Sequence, residues 1–280
     1  MLNLCCEQGK YDEAEALYQR ALTGREKALG PDHPDTLSSA NNLGILYRDQ
    51  DKYDKAAMLH QRALIGFEKA LGPDHPDTLM SASCLASVYY AQGKCDEAAP
   101  LHQRAFTGRE KELGPDHPDT LSSANNLGVL YRGQGKYDEA AILHQRAFIG
   151  FEKVLGPDHP DALMSSSCLA DAHHAQGKYD EAAALHQRAF AGREKALGHD
   201  HPDTLTSSNN LATVYCRQGK YDEALVLHRR AFTGFEAVFG LDHPHTLESA
   251  GNLANLYRLL EEYDEAAALD GRVLATHKTT

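Results

Sequence analysis

The chain has 280 residues, with 40 acidic against 28 basic side chains and a formal net charge of −12. That balance argues against a nucleic-acid or membrane-surface binder, which needs a basic footprint, and no apolar run approaches the roughly 18–20 residues that span a bilayer. The start "MLNLCCEQGKYDEAEALYQR" lacks a signal peptide's basic and apolar regions, and six cysteines without a CxxC pair point to a reducing, cytoplasmic location.

Residues 1–36 read as an incomplete unit. Leu4, Cys5 and "EQGKYDEA" align with Leu46, Tyr47 and "DQDKYDKA", so the chain is expected to begin inside a helix, as a piece of a longer protein would. The helix face left uncovered at that end would favour end-to-end self-association. A complete unit follows at 37–78, repeated at 79–120, 121–162, 163–204 and 205–246, with a last one at 247–280. The six registers are 42 residues apart and form a single solenoid domain over 1–280.

Each unit predicts two helices. In the first, Leu37, Ala40, Leu43, Gly44 and Tyr47 recur at spacings of three and four, one buried stripe. A polar turn, "DQDKYD" here and "GQGKYD" or "AQGKYD" elsewhere, leads to the second, with Tyr53, Ala56, Leu59, Ala63, Leu64 and Phe67. The unit closes on "LGPDHPDTL", present at 29–37, 71–79 and 113–121 and slightly altered three more times. Gly30 suits a helix C-terminus, Pro31 forbids continuation, Pro34 fits the first turn of the next helix, and Asp35 meets its positive end. The nine residues are a stop-and-restart signal. Short connections make each unit an antiparallel hairpin that must cover its neighbour. The expected fold is all-α: a right-handed α-solenoid (superhelix) of about thirteen stacked helices with a concave inner wall.

A longer period lies inside the first. "SSANNLGILYR" (38–48) matches "SSANNLGVLYR" (122–132), while "MSASCLASVYY" (80–90) matches "MSSSCLADAHH" (164–174), and "TGREK" alternates with "IGFEK". Duplication of an 84-residue pair explains this, and a ligand alternating along the wall is the functional alternative.

The order Leu43, Gly44, Tyr47, Tyr53, Ala56 in "NNLGILYRDQDKYDKA" resembles the tetratricopeptide repeat, and the 42-residue form is similar to kinesin light chain and nephrocystin-3-type repeats. The heptad coiled coil of kinesin light chains is absent from this sequence. The resemblance implies a protein or peptide partner held on the concave wall by first-helix residues. Two positions before the Leu these are Asn41, Ser83, Asn125, Ser167 and Asn209. Five positions after it they are Arg48, Tyr90, Arg132, His174 and Arg258, with Arg217 beside Cys216. Two positions after it lie Asn255 and its counterparts Asp171 and Thr213, and five before it Met164 and Glu248. Asn would hold a peptide backbone through its carboxamide, and Arg would read carboxylates. The alternative is a structural spacer or oligomerising array of a larger signalling protein, without a peptide ligand.

His60, His102, His144, His186 and His228 occupy a second-helix position usually held by an aromatic and are expected as half-buried packed imidazoles. The pairs His173/His174, His199/His201 and His243/His245 lack a third ligand, so no metal is expected. No GxxxxGK[ST], GxGxxG or HExxH occurs, so neither cofactor nor catalysis is expected.

Overall fold

The structure, a computed structural model, describes residues 11–276; the expected helix start at Leu4 and Cys5, with the face it would uncover, lies outside the described residues. Among the described residues thirteen helices follow one another: α1 (Tyr11–Leu29), α2 (Pro34–Asp49), α3 (Tyr53–Leu71), α4 (Pro76–Ala91), α5 (Cys95–Leu113), α6 (Pro118–Gly133), α7 (Tyr137–Leu155), α8 (Pro160–Ala175), α9 (Tyr179–Leu197), α10 (Pro202–Arg217), α11 (Tyr221–Phe239), α12 (Pro244–Leu259) and α13 (Tyr263–Thr276). The described residues contain no strand. The helices group into two compact units, α1–α6 up to Lys136 and α7–α13 from Tyr137.

Within each unit every helix packs on the next in the chain. In the first unit α2 also touches α4 and α4 touches α6; in the second α10 touches α12. First helices of successive hairpins therefore stand side by side, as an α-solenoid requires.

The nonapeptide works as a boundary, with one addition. Gly30, at φ 94°, ends α1, and Pro34 opens α2. His33 is itself the N-cap: its Nδ1 accepts the N–H of Asp35 at 3.2 Å. His75, His117, His159, His201 and His243 repeat this. An imidazole nitrogen thus satisfies an N–H that the first turn would leave orphaned.

The 84-residue period has a mechanical basis. Each first helix carries a buried Ser; Ser249 of α12 is buried without a partner, but in all the others the hydroxyl donates back one turn, as Ser39 does to Asp35 O and Ser81 to Asp77 O. Its lone pairs still need a donor, since a buried, half-satisfied hydroxyl is costly. Ser39, Ser123 and Ser207 receive it from Arg25, Arg109 and Arg193 at 2.5–2.6 Å. At Ser81 the donor is instead the Asn41 amide, at 2.6 Å. The Arg position of that hairpin is then free to hold Phe67, which packs on Leu37 and Ala63; Phe151 and Phe235 stand at the same position, although Ser249 in the hairpin of Phe235 is left without a donor. Asn and Phe, or Ser and Arg, are therefore alternative solutions to one hydrogen-bonding problem, and they travel together.

Where the two helices of a hairpin cross, there is no room for a Cβ. One built on Gly66 would lie 2.6 Å from both methyl carbons of the fully buried Leu37. Gly66→Ala is expected to lower stability by about 1–3 kcal/mol through overpacking. Gly24, in the same helical register with nothing within 4 Å, should instead gain about 0.5–1 kcal/mol as Ala. Thermal unfolding followed by circular dichroism checks both; equal effects would contradict the close approach.

Candidate functional site

The rotation of each first helix decides which side chains meet a ligand. Asn41 faces inward and is buried: its Oδ1 accepts from His60 Nδ1 at 2.9 Å while its Nδ2 donates to Ser81. Asn209 is bound likewise to His228 Nδ1, at 2.6 Å. Asn125 and Ser83 are buried too. These side chains were expected on the open wall. They lie in the interior because a carboxamide can be buried when an imidazole completes it. The imidazoles themselves are fully buried rather than half-buried, with His60 and His144 at 0% exposure.

One residue further along, about 100° around the helix, the side chains emerge. Asn42 is exposed, and Asn126, Asn210 and Asn252 are half-buried. Sequence reasoning missed this column, although the doubled Asn of "NNL" contained it.

In the second unit the emergent residues line two adjoining clefts. One, of about 250 Å³, is walled by Asp171 and His174 from α8, His186 from α9, Asn209, Asn210, Thr213 and Val214 from α10, and Glu248 and Asn252 from α12. The other, of about 470 Å³, shares Thr213 and Asn252 and adds Cys216, Arg217, Tyr221, His228, Asn255, Leu256 and Leu259. His174, Asn209, Arg217 and Asn255, all expected as site residues, are brought together here, with Asp171, Thr213 and Glu248.

The rest are distributed otherwise. Arg48 is half-buried and pairs with Asp49 at 2.8 Å. Arg258 donates to Asn255 at 2.9 Å and also pairs with Asp270. Ser167 is half-buried and accepts from Arg193 at 3.2 Å. Tyr90 is half-buried with its ring over Gly133, where a Cβ would lie 2.7 Å from the phenol oxygen. Arg132 is half-buried.

Charge in the cleft is mixed. Asp171 Oδ1 lies 3.3 Å from His186 Nε2. Burial, then the nearby Arg217, lowers the pKa of His174, whose ring leans on Tyr179 at 5.5 Å. Burial raises that of the Cys216 thiol, which makes a poor nucleophile. Nowhere among the described residues do three His, Cys, Asp or Glu side chains cluster to hold a metal, and no described helix is long and apolar enough to cross a membrane.

A tetratricopeptide repeat family model matches residues 3–64, 77–148, 134–195, 161–233 and 203–279. Among solved structures, the nearly identical TPR-like repeats of a Podosopora anserina kinesin light chain are similar at 30% identity and a TM-score of 0.63, over 74% of this chain and 98% of that one. BtubC (BKLC) from P. vanneervenii is 22% identical over 84% and 94%, with a TM-score of 0.69. Aspartyl phosphate phosphatase F from Bacillus subtilis is 17% identical over 99% and 68%, with a TM-score of 0.71. The last two show likeness of fold alone. No curated protein sequence matches the chain.

Burial holds the pKa of His60, His102 and His228 down to about 4. An unfolded His titrates near 6.5, so the unfolded chain takes up protons first. The contribution of these residues is complete above about pH 6.5 and is lost as pH falls through about 4, on the order of 3 kcal/mol each. Urea midpoints measured from pH 7 down to pH 5 should fall progressively. A flat profile would contradict neutral, buried imidazoles.

Proposed function

Because the chain belongs to the tetratricopeptide repeat family, in its kinesin light chain-like form, we propose that it is a non-catalytic interaction scaffold whose first-helix face holds a peptide segment of a partner protein. The observation that carries this is the pair of adjoining clefts on α8, α10 and α12, open to solvent and lined by Asn210, Asn252, Asn255, Thr213 and Arg217. Neutral amides can donate to and accept from an extended backbone without demanding a particular sequence, and Arg adds a bidentate grip on a carboxylate. Asn41, whose carboxamide is engaged by His60 and Ser81, supports the first-helix face from behind. No cofactor enters the reading. Cys84, Cys95, Cys168 and Cys216 are thiols rather than halves of disulfides, which supports a reducing, cytoplasmic setting.

A second reading, an oligomerising array without a peptide ligand, is favoured by a different feature. Met58, Ile142 and Val226 recur every 84 residues on second helices and are 73%, 69% and 67% exposed. Light scattering separates the two readings: multimers that grow with concentration and ignore added peptide favour the array.

The scaffold reading is tested by selecting short random peptides on the purified chain and titrating one with variants. Asn210→Ala with Asn252→Ala should weaken binding tenfold or more, about 1.4 kcal/mol, with helicity unchanged. Unchanged affinity would move the binding surface elsewhere.

A further inference from the structure

The last two hairpins hold a further cleft, of about 340 Å³, between the second helices α11 and α13 and over α12. Its floor is apolar: Phe232, Leu253 and Leu269, all buried. The charge on its walls comes from Arg229, Glu265 and Arg272.

Two charged couples stand on the same faces of α11 and α13. Glu236 pairs with Arg272 across the two helices, 36 residues apart. Arg229 and Glu265 have the same separation and lie seven residues earlier on each helix, two turns or about 10 Å along. The first couple closes and the second does not. Arg229 is held aside by Tyr257: its Nε donates to the hydroxyl at 2.8 Å, and its guanidinium lies over the ring, 5.4 Å from the centroid. Among the described residues Arg229 has no carboxylate within ion-pairing reach, and Glu265 no cation, although both are exposed and wall one cleft.

The repeat does not impose this arginine. Gln19, Gln61, Gln103, Gln145 and Gln187 stand at its position in the earlier second helices. A glutamine suffices for the contact with the tyrosine, since Gln103 accepts from Tyr131, the counterpart of Tyr257. The glutamate, by contrast, recurs as Glu97, Glu139, Glu181 and Glu223. Arg229 therefore brings to the cleft a charge and two terminal amino groups that the packing does not use. Only between α11 and α13 does the recurring glutamate face an arginine.

We propose that this cleft binds a free α-amino acid with a large apolar side chain. The ligand carboxylate lies on the terminal nitrogens of Arg229, its ammonium group on Glu265, and its side chain on Phe232, Leu253 and Leu269. Guanidinium and carboxylate make strong charge-assisted hydrogen bonds, and the Tyr257 contact holds the guanidinium ready for them. An α-amino acid carries both charges on one carbon and so closes the open couple. An apolar acid leaves Glu265 uncompensated, and an apolar amine leaves Arg229 so. The volume lies near the lower end of small-molecule pockets, roughly 300–1,000 Å³, which suits a ligand of this size. The site is separate from the first-helix clefts and does not depend on the peptide-groove reading.

The test is a saturation-transfer NMR titration of the full chain with L-phenylalanine. Phenylpropanoate, which lacks the ammonium group, phenethylamine, which lacks the carboxylate, and glycine, which lacks the side chain, are titrated beside it. Phenylalanine should bind with a Kd of about 1 mM or lower, and each analogue about tenfold or more weakly than that. Two variants install residues that the repeat already uses at the same positions, so the fold should tolerate them: Arg229→Gln, as at Gln187, and Glu265→Lys, as at Lys55. Circular dichroism checks their folding. Arg229→Gln should weaken phenylalanine about tenfold or more and leave phenethylamine unchanged. Glu265→Lys should reverse the order, so that phenylpropanoate binds more tightly than phenylalanine. An analogue that matches phenylalanine on the unaltered chain, binding indifferent to both variants, or no saturation in the millimolar range overturns the proposal.

Discussion

The hydrogen bond between a buried imidazole and a buried carboxamide, His60 to Asn41 and His228 to Asn209, sets the rotation of the first helix on which everything outward depends. A helix turned by one residue would exchange Asn41 for Asn42 and remake the exposed face. The bond has a demanding geometry, because the imidazole is buried neutral and must then carry its single proton on Nδ1. Burial supplies the first condition by disfavouring the charged ring, and the Asn oxygen supplies the second.

From that anchor the chemistry divides by depth. Inside, polar groups are consumed by one another: His with Asn, Asn or Arg with Ser. Outside, Arg–Glu pairs such as Arg62–Glu26 at 2.7 Å and Arg230–Glu194 at 2.6 Å connect successive second helices. Pairs this exposed contribute little stability each, but they fix the register of second helices within a unit. Between these layers lies the open first-helix face of α8, α10 and α12. There Asn210, Asn252, Arg217 and Glu248 are held by a rigid scaffold without being used by it, the condition under which a surface can take a ligand without disturbing its fold.

Much of the fold was legible because it is written in residues with few alternatives. Gly30 and Pro34 mark a helix end and a helix start by backbone constraint alone, and the Leu37–Ala40–Leu43–Tyr47 stripe can only be a helix. His33 as an N-cap was not legible, since Ser, Thr, Asp and Asn ordinarily fill that place and the adjacent Asp35 looked sufficient. The site was harder to read. Asn41 and Asn42 are identical neighbours, and the apolar stripe does not fix a helix's rotation finely enough to tell them apart. The deciding partner, His60, sits 19 residues away and had been assigned a packing role. His174, Arg217 and Asn255 line the open clefts. Asn210 and Asn252 stand one residue from the expected positions, and the meeting of Glu248 and Asp171 in one cleft depends on the packing of three helices.

The most direct test of this account is the protonation state of the buried histidines, read from long-range nitrogen–proton correlations of the imidazole rings at neutral pH. His60 and His228 should each be neutral with the proton on Nδ1. A neutral ring protonated on Nε2 could not donate to the Asn oxygen and would remove the bond from which the helix rotation is argued, and a charged ring would contradict the burial that keeps these imidazoles neutral.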